Sequence, residues 1–167
     1  RSEMGKVFQL GENHFRTVIY PEAVHYWDAA NKVYRSIDNR LVQLSDGLRN
    51  AANGKLQVQL KENLVQLAND RQQEISWQLV QGRKVAPKQN LQQKMESLFG
   101  KLLGSEHQLE SEAVYEEILP GVDWRCKIQG EQFKDEIVFP ALEQVQPVQF
   151  RLQTNGLTLV QDEAEAM

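Results

Sequence analysis

Apolar side chains recur at every second position along most of this chain, and no other feature restricts its fold so strongly. A β-strand turns successive side chains to opposite faces, so the rhythm demands segments that each hide one face and wet the other. In "KLQVQL" Leu56, Val58 and Leu60 share one side and Lys55, Gln57 and Gln59 the other, and in "EISWQLV" Ile75, Trp77 and Leu79 share a face. The β-branched and aromatic runs "HFRTVIY" (14–20), "AVHYWD" (23–28) and "VYRSID" (33–38) read as further strands of a meander, with Pro21 and the "AANK" stretch as corners. Two Asn-Gly pairs, Asn53-Gly54 and Asn155-Gly156, fit turn positions of positive φ, the second joining "VQFRLQ" to "LTLVQ" as a hairpin. Turn signals at this spacing predict a mainly β chain, two antiparallel sheets packed as a sandwich.

One segment departs from the two-residue period. Leu91, Met95, Leu98, Phe99, Leu102 and Leu103 recur at helical spacing, with Pro87 before them and Gly104 after. This predicts one inserted amphipathic helix over about residues 88–103, laid as a lid on the β core or offered to a partner. Residues 1–160 form a single expected β-rich domain, and 161–167, ending "DEAEAM", an acidic tail or linker to a following domain.

Composition removes several function classes. With 19 basic against 23 acidic residues and no local Lys/Arg cluster, a nucleic-acid footprint is not expected. No apolar run approaches the roughly 20 residues of a membrane helix, so no membrane insertion is expected either. A single cysteine, Cys126, leaves no internal disulfide and no cysteine-based zinc site, and His14, His25 and His107 lack metal-ligand spacing. No cofactor, metal or catalytic motif is read: G-x-S-x-G, G-x-G-x-x-G, P-loop and H-E-x-x-H strings are missing from the sequence. The chain opens at Arg1 rather than methionine, as an excised piece of a longer protein would.

The densest collection of reactive groups is "EEILPGVDWRCKIQGEQFKDEIVF" (116–139). After Pro120-Gly121, Val122, Trp124, Cys126 and Ile128 alternate with Asp123, Arg125 and Lys127, so the first set faces a core only if the second faces away. Phe133, Ile137 and Phe139 similarly share a side with Asp135, opposite Lys134, Glu136 and Val138. Pairing through "QGEQ" would set Arg125 and Lys127 across from Glu136 and nearby acids as cross-strand charge pairs. Cys126 then reads as a small buried hydrophobe and not as a nucleophile. The low-ranking binding candidates are His25 and Trp27, which share a strand face and could form a stacking platform for a sugar or peptide.

The stretches 1–41, "ISWQLV" (75–80), 113–139 and "FRLQTNGLTLV" (150–160) together resemble the N-terminal β-rich region that precedes the repeats of large bacterial cell-surface and wall-associated Rhs-type (YD-repeat) proteins. The shared pattern is an S-E-x-x-K-x-F start, a V-H-Y-x-D strand, an I-D-N-x-L step and an L-P-G-V-D hairpin. Lys134-Asp135-Glu136 departs from it by one residue, and the segment 87–110 departs by an insertion. The resemblance carries no catalytic residue. It implies a secreted or wall-attached protein of a Gram-positive bacterium, in which this region would be a non-catalytic structural or adhesive module beside neighbouring domains of the same polypeptide. A carbohydrate-binding module for cell-wall or host glycan is the alternative expectation, and a glycan hydrolase using Glu136 or Asp123 a third.

Overall fold

A computed structural model describes residues 2–90 and 109–158. Among them lie fourteen strands: β1 (Gly5–Gly11), β2 (His14–Ile19), β3 (His25–Asp28), β4 (Val33–Ser36), β5 (Asp38–Leu44), β6 (Gly47–Ala52), β7 (Leu56–Lys61), β8 (Leu64–Asn69), β9 (Glu74–Leu79), β10 (Lys88–Gln89), β11 (Glu110–Leu119), β12 (Val122–Gln129), β13 (Gln132–Val138) and β14 (Phe150–Asn155). The chain is mainly β, and every strand pairing among the described residues is antiparallel.

Two sheets carry the core. One runs β14-β9-β8-β7-β6-β5 and the other β10-β11-β12-β13, while β1-β2 and β3-β4 form separate two-stranded ribbons. Leu41, Leu48, Val58, Leu60, Val65 and Leu79 of the six-stranded sheet meet Ala113, Tyr115, Ile118, Val122, Trp124, Cys126 and Ile128 of the four-stranded one in a single apolar cluster. The two-residue period therefore does what it predicts. In β12, Val122, Trp124, Cys126 and Ile128 are all buried while Arg125 and Lys127 between them are exposed. Each large apolar group so hidden contributes about 1.5–3 kcal/mol.

Polar cross-links tie the sheets where apolar packing alone would let them slide. The Tyr115 hydroxyl, whose ring stacks on Trp124 at 4.6 Å, donates to the Leu64 carbonyl of the opposite sheet at 2.8 Å. Trp77 Nε1 of β9 and Trp124 Nε1 of β12 both donate to Asp135 Oδ2, at 2.9 and 3.1 Å. One carboxylate oxygen thus joins an indole from each sheet to the edge strand β13. Three buried asparagines make the third link. Asn39 Nδ2 donates to the carbonyls of Leu109 and Gly130 at 2.8 and 2.7 Å, and its Oδ1 accepts from Asn50 and Asn53 at 3.3 and 3.1 Å. All four hydrogen-bonding positions of the Asn39 amide are filled, which is what allows it to be fully buried.

Three expectations need correction. The first concerns Asn53-Gly54, where neither residue has positive φ. The turn is shaped by the Asn53 side chain, whose Oδ1 accepts from the Lys55 and Leu56 amides at 3.2 and 3.1 Å. Glycine is required at 54 because a Cβ there would lie 2.0 Å from the Tyr26 ring. Gly156 does take positive φ, at +70°, but the strand expected beyond it reaches outside the described residues.

The second concerns "VYRSID", which is two strands. Val33–Ser36 pairs with β3, and after the buried Ile37 the chain enters the large sheet at Asp38. The third is the helix over 88–103, whose first two residues, Lys88 and Gln89, form β10 against Val114 and Ala113. Residues 91–103 of that helix, and the acidic tail 161–167, lie outside the described residues.

Candidate functional site

The outer face of the four-stranded sheet gathers the charges of residues 110–136. Register sets the arrangement: Glu112 pairs with Lys127, and Lys127 in turn with Lys134, while Val114, Arg125 and Glu136 form the next row. Gln129 and Gln132 close the hairpin end, around Gly130 at φ +54°. Residues paired directly across antiparallel strands point to the same side, so Arg125, Lys127 and Lys134 form a contiguous corner of three cations. These side chains line an open concavity of about 390 Å³, together with Glu112, Gln129 and Glu136.

The expectation that Lys127 lies across from acids holds on one side only. On its β13 side Lys127 faces another lysine. Its ammonium lies 3.8 Å from Glu110, and Lys134 is ion-paired with Glu136 along its own strand. Arg125 makes no hydrogen bond among the described residues, although its charge acts on Glu136. The hydrogen bond from Lys134 and the charges of Lys134, Arg125 and Lys127 hold the Glu136 carboxyl below the usual carboxylate range. Asp123 sits apart from this corner, across from Val138, where its Oδ1 accepts from the Glu117 amide at 2.9 Å.

Directly behind this face Cys126 is buried, and burial together with the Asp135 charge pushes its thiol well above the ordinary value, so that it packs as a small neutral side chain. Among the described residues no group of three or more His, Cys, Asp and Glu side chains is placed to hold a metal ion.

The structure separates the two binding candidates, His25 and Trp27. His25 is 2 % exposed, and its Nδ1 lies 2.8 Å from the Ser2 carbonyl, so the ring anchors the N-terminal segment to β3. Trp27 is 49 % exposed and meets Tyr34 of β4 edge to face, with ring centroids 5.1 Å apart. The neighbouring turn is held by Asp28, which accepts from Asn31 at 2.8 and 3.1 Å and pairs with Arg35. The hydrogen bonds from Asn31, with Arg35 adding to them, lower its pKa to about 2.

Two features escape sequence reasoning. The two-residue turn in "QGEQ" is the expected one, but its register sets Lys127 opposite Lys134 where acids were expected. The other is the β1-β2 ribbon, which pairs with neither large sheet and leaves Val7, Phe8, Leu10, Phe15 and Ile19 in solvent. Leu10 is 68 % and Ile19 79 % exposed. The signal was present as "KVFQL" and "HFRTVI", in which apolar residues occupy both strand faces. Compared with known proteins, the chain matches no family model, no curated protein and no solved structure.

Proposed function

We propose that this chain is a non-catalytic structural or adhesive module of a large exported bacterial Rhs-type surface protein, acting by packing against neighbouring domains of the same polypeptide. The β1-β2 ribbon carries the reading. A two-stranded ribbon is at best marginally stable alone in water. This one bears five large exposed apolar side chains distributed over both faces: Val7, Phe15 and Ile19 on one, Phe8 on the other, and Leu10 at the bulge between Gln9 and Gly11. Apolar exposure of this kind marks an interaction surface. The resemblance of 1–41, 75–80, 113–139 and 150–160 to the region ahead of the Rhs repeats supplies the context.

The test uses the intact parent polypeptide. An antibody against this domain should label unpermeabilised cells, and labelling only after lysis would overturn the exported setting. Leu10→Glu with Phe15→Glu should open the domain boundary to limited proteolysis; an unchanged digestion pattern would overturn the packing role.

A carbohydrate-binding module is the second reading, favoured by the exposed Trp27 with Tyr34 set edge-on beside it. A glycan array in which binding disappears with Trp27→Ala would support it. Binding that survives the substitution, or none at all, would remove it.

A further inference from the structure

We propose that the outer face of β11-β12-β13 binds an acidic sugar unit, with its carboxylate or phosphate seated on Arg125, Lys127 and Lys134 and its hydroxyls turned toward Gln129 and Gln132. The proposal stands on this face alone and does not rest on the Rhs setting or on Trp27.

The first observation is a like-charge pair in the register of β12 and β13, each lysine having one acid beside it. Like charges placed directly across two strands destabilise the pair, yet Lys127 and Lys134 are direct partners in the register. An acid at either position would have completed a cross-strand pair, as Glu136 does opposite Arg125. An anion between the two ammonium groups reverses the sign of that interaction.

The second observation is the state of Arg125. Its guanidinium is exposed and makes no hydrogen bond among the described residues, while the nearest acid across the strands, Glu136, is ion-paired with Lys134. A guanidinium presents a planar fork of donors matched to carboxylate and phosphate oxygens, so one that faces Glu136 across the strands without a hydrogen bond to it among the described residues keeps those donors for an incoming anion. The same cations, Lys134 foremost through its hydrogen bond, hold the Glu136 carboxyl below the usual range.

The third observation is shape and lining. The cations bound an open concavity of about 390 Å³, with Glu112 and Glu136 also on its walls and Gln129 and Gln132 at its hairpin end. Amide side chains both donate and accept, as sugar hydroxyls require. Glu110 and Glu112 lie on the β11 side of the cations, so the positive field is confined to one corner. That confinement selects a single anionic group with neutral polar surroundings over a dense polyanion such as a nucleic acid, which the net charge of -4 would repel.

The full chain should be titrated calorimetrically, at low and at moderate salt, with an oligogalacturonate, a glycerol-phosphate oligomer and a neutral malto-oligosaccharide of matched length. An acidic probe should bind, weaken as salt is raised, and outcompete the neutral one. Binding of the galacturonate alone assigns a uronate, binding of the phosphate oligomer alone a sugar or polyol phosphate, and equal binding the anion common to both. Arg125→Gln should reduce affinity at least about tenfold, the loss of a charge-assisted contact. Lys134→Gln should weaken it several-fold, and Arg151→Gln on β14 should leave it unchanged. Unaltered thermal midpoints in these exposed-site variants keep folding out of the comparison. Failure of every probe to bind at low salt, neutral probe binding as tight as acidic, or equal losses for Arg125→Gln and Arg151→Gln would each overturn the proposal.

Discussion

The sandwich and the β1-β2 ribbon are built from the same kind of strand, yet they solve the burial problem in opposite ways. In the sandwich the central strands have one apolar side and a second sheet to cover it, so Val58, Leu60, Val65, Trp124 and Ile128 are buried. In the ribbon apolar residues occupy both sides, and no described element covers either one. The difference teaches that backbone pairing is not what holds this protein together. Both regions have antiparallel ladders, but only one has side chains removed from water and polar side chains hydrogen-bonded from sheet to sheet. Stability should therefore be concentrated in the sandwich, and the ribbon should be near its limit until something packs on it.

Breaking the polar core should produce the largest effect. Asn39→Ala removes one of the two donors to each of the Leu109 and Gly130 carbonyls, which keep the Gly130 amide and Asn53 Nδ2, and takes the shared acceptor from two asparagine amides. It should lower the urea-derived folding free energy by about 3–5 kcal/mol. The Asp135 clamp should follow. Asp135→Leu takes the acceptor from two indole N–H groups, of which that of the buried Trp124 is the harder to rehydrate, and should cost about 1–2 kcal/mol, whereas Asp135→Asn keeps one acceptor oxygen and should cost less. Equal losses for the two substitutions would mean that the carboxylate's hydrogen bonds are not what matters.

The same measurement on the ribbon should give almost nothing. Leu10→Glu with Phe15→Glu alters two exposed side chains and should change the folding free energy of the isolated chain by less than about 0.5 kcal/mol. A loss as large as that of Asp135→Leu would show that the ribbon is part of the core and dissolve the contrast.

The β3-β4 ribbon offers a smaller, pH-dependent refinement. The folded-state pKa of Asp28 lies below its unfolded value near 3.9, so its contribution is complete above about pH 4 and is lost as the pH falls through about 2. Trp27, one residue away on the same ribbon, should report this as a fluorescence change between those limits that Asp28→Asn removes.

The sandwich was largely legible because alternation is a local property. Trp124, Cys126 and Ile128 could be assigned inward, and Arg125 and Lys127 outward, from parity alone. The asparagine links were not legible, because Asn39, Asn50 and Asn53 carry the same local signature as surface turn formers. What buries them is the convergence of residues 39, 53, 109 and 130, which no sequence window contains. His25 and Trp27 show the same limit from the other side. Parity placed them on one face, but the Ser2 carbonyl reaches His25 and leaves Trp27 to solvent. At Lys88 and Gln89 the helical spacing that begins at Leu91 was extended backwards over residues that instead take the edge of β11.

Native-state hydrogen exchange on the isolated chain tests the contrast most directly. Amides of β7, β8, β11 and β12 should exchange only through global unfolding, and those of β1 and β2 through local opening orders of magnitude faster. Ribbon amides protected to the same free energy as those of β12 would contradict the account.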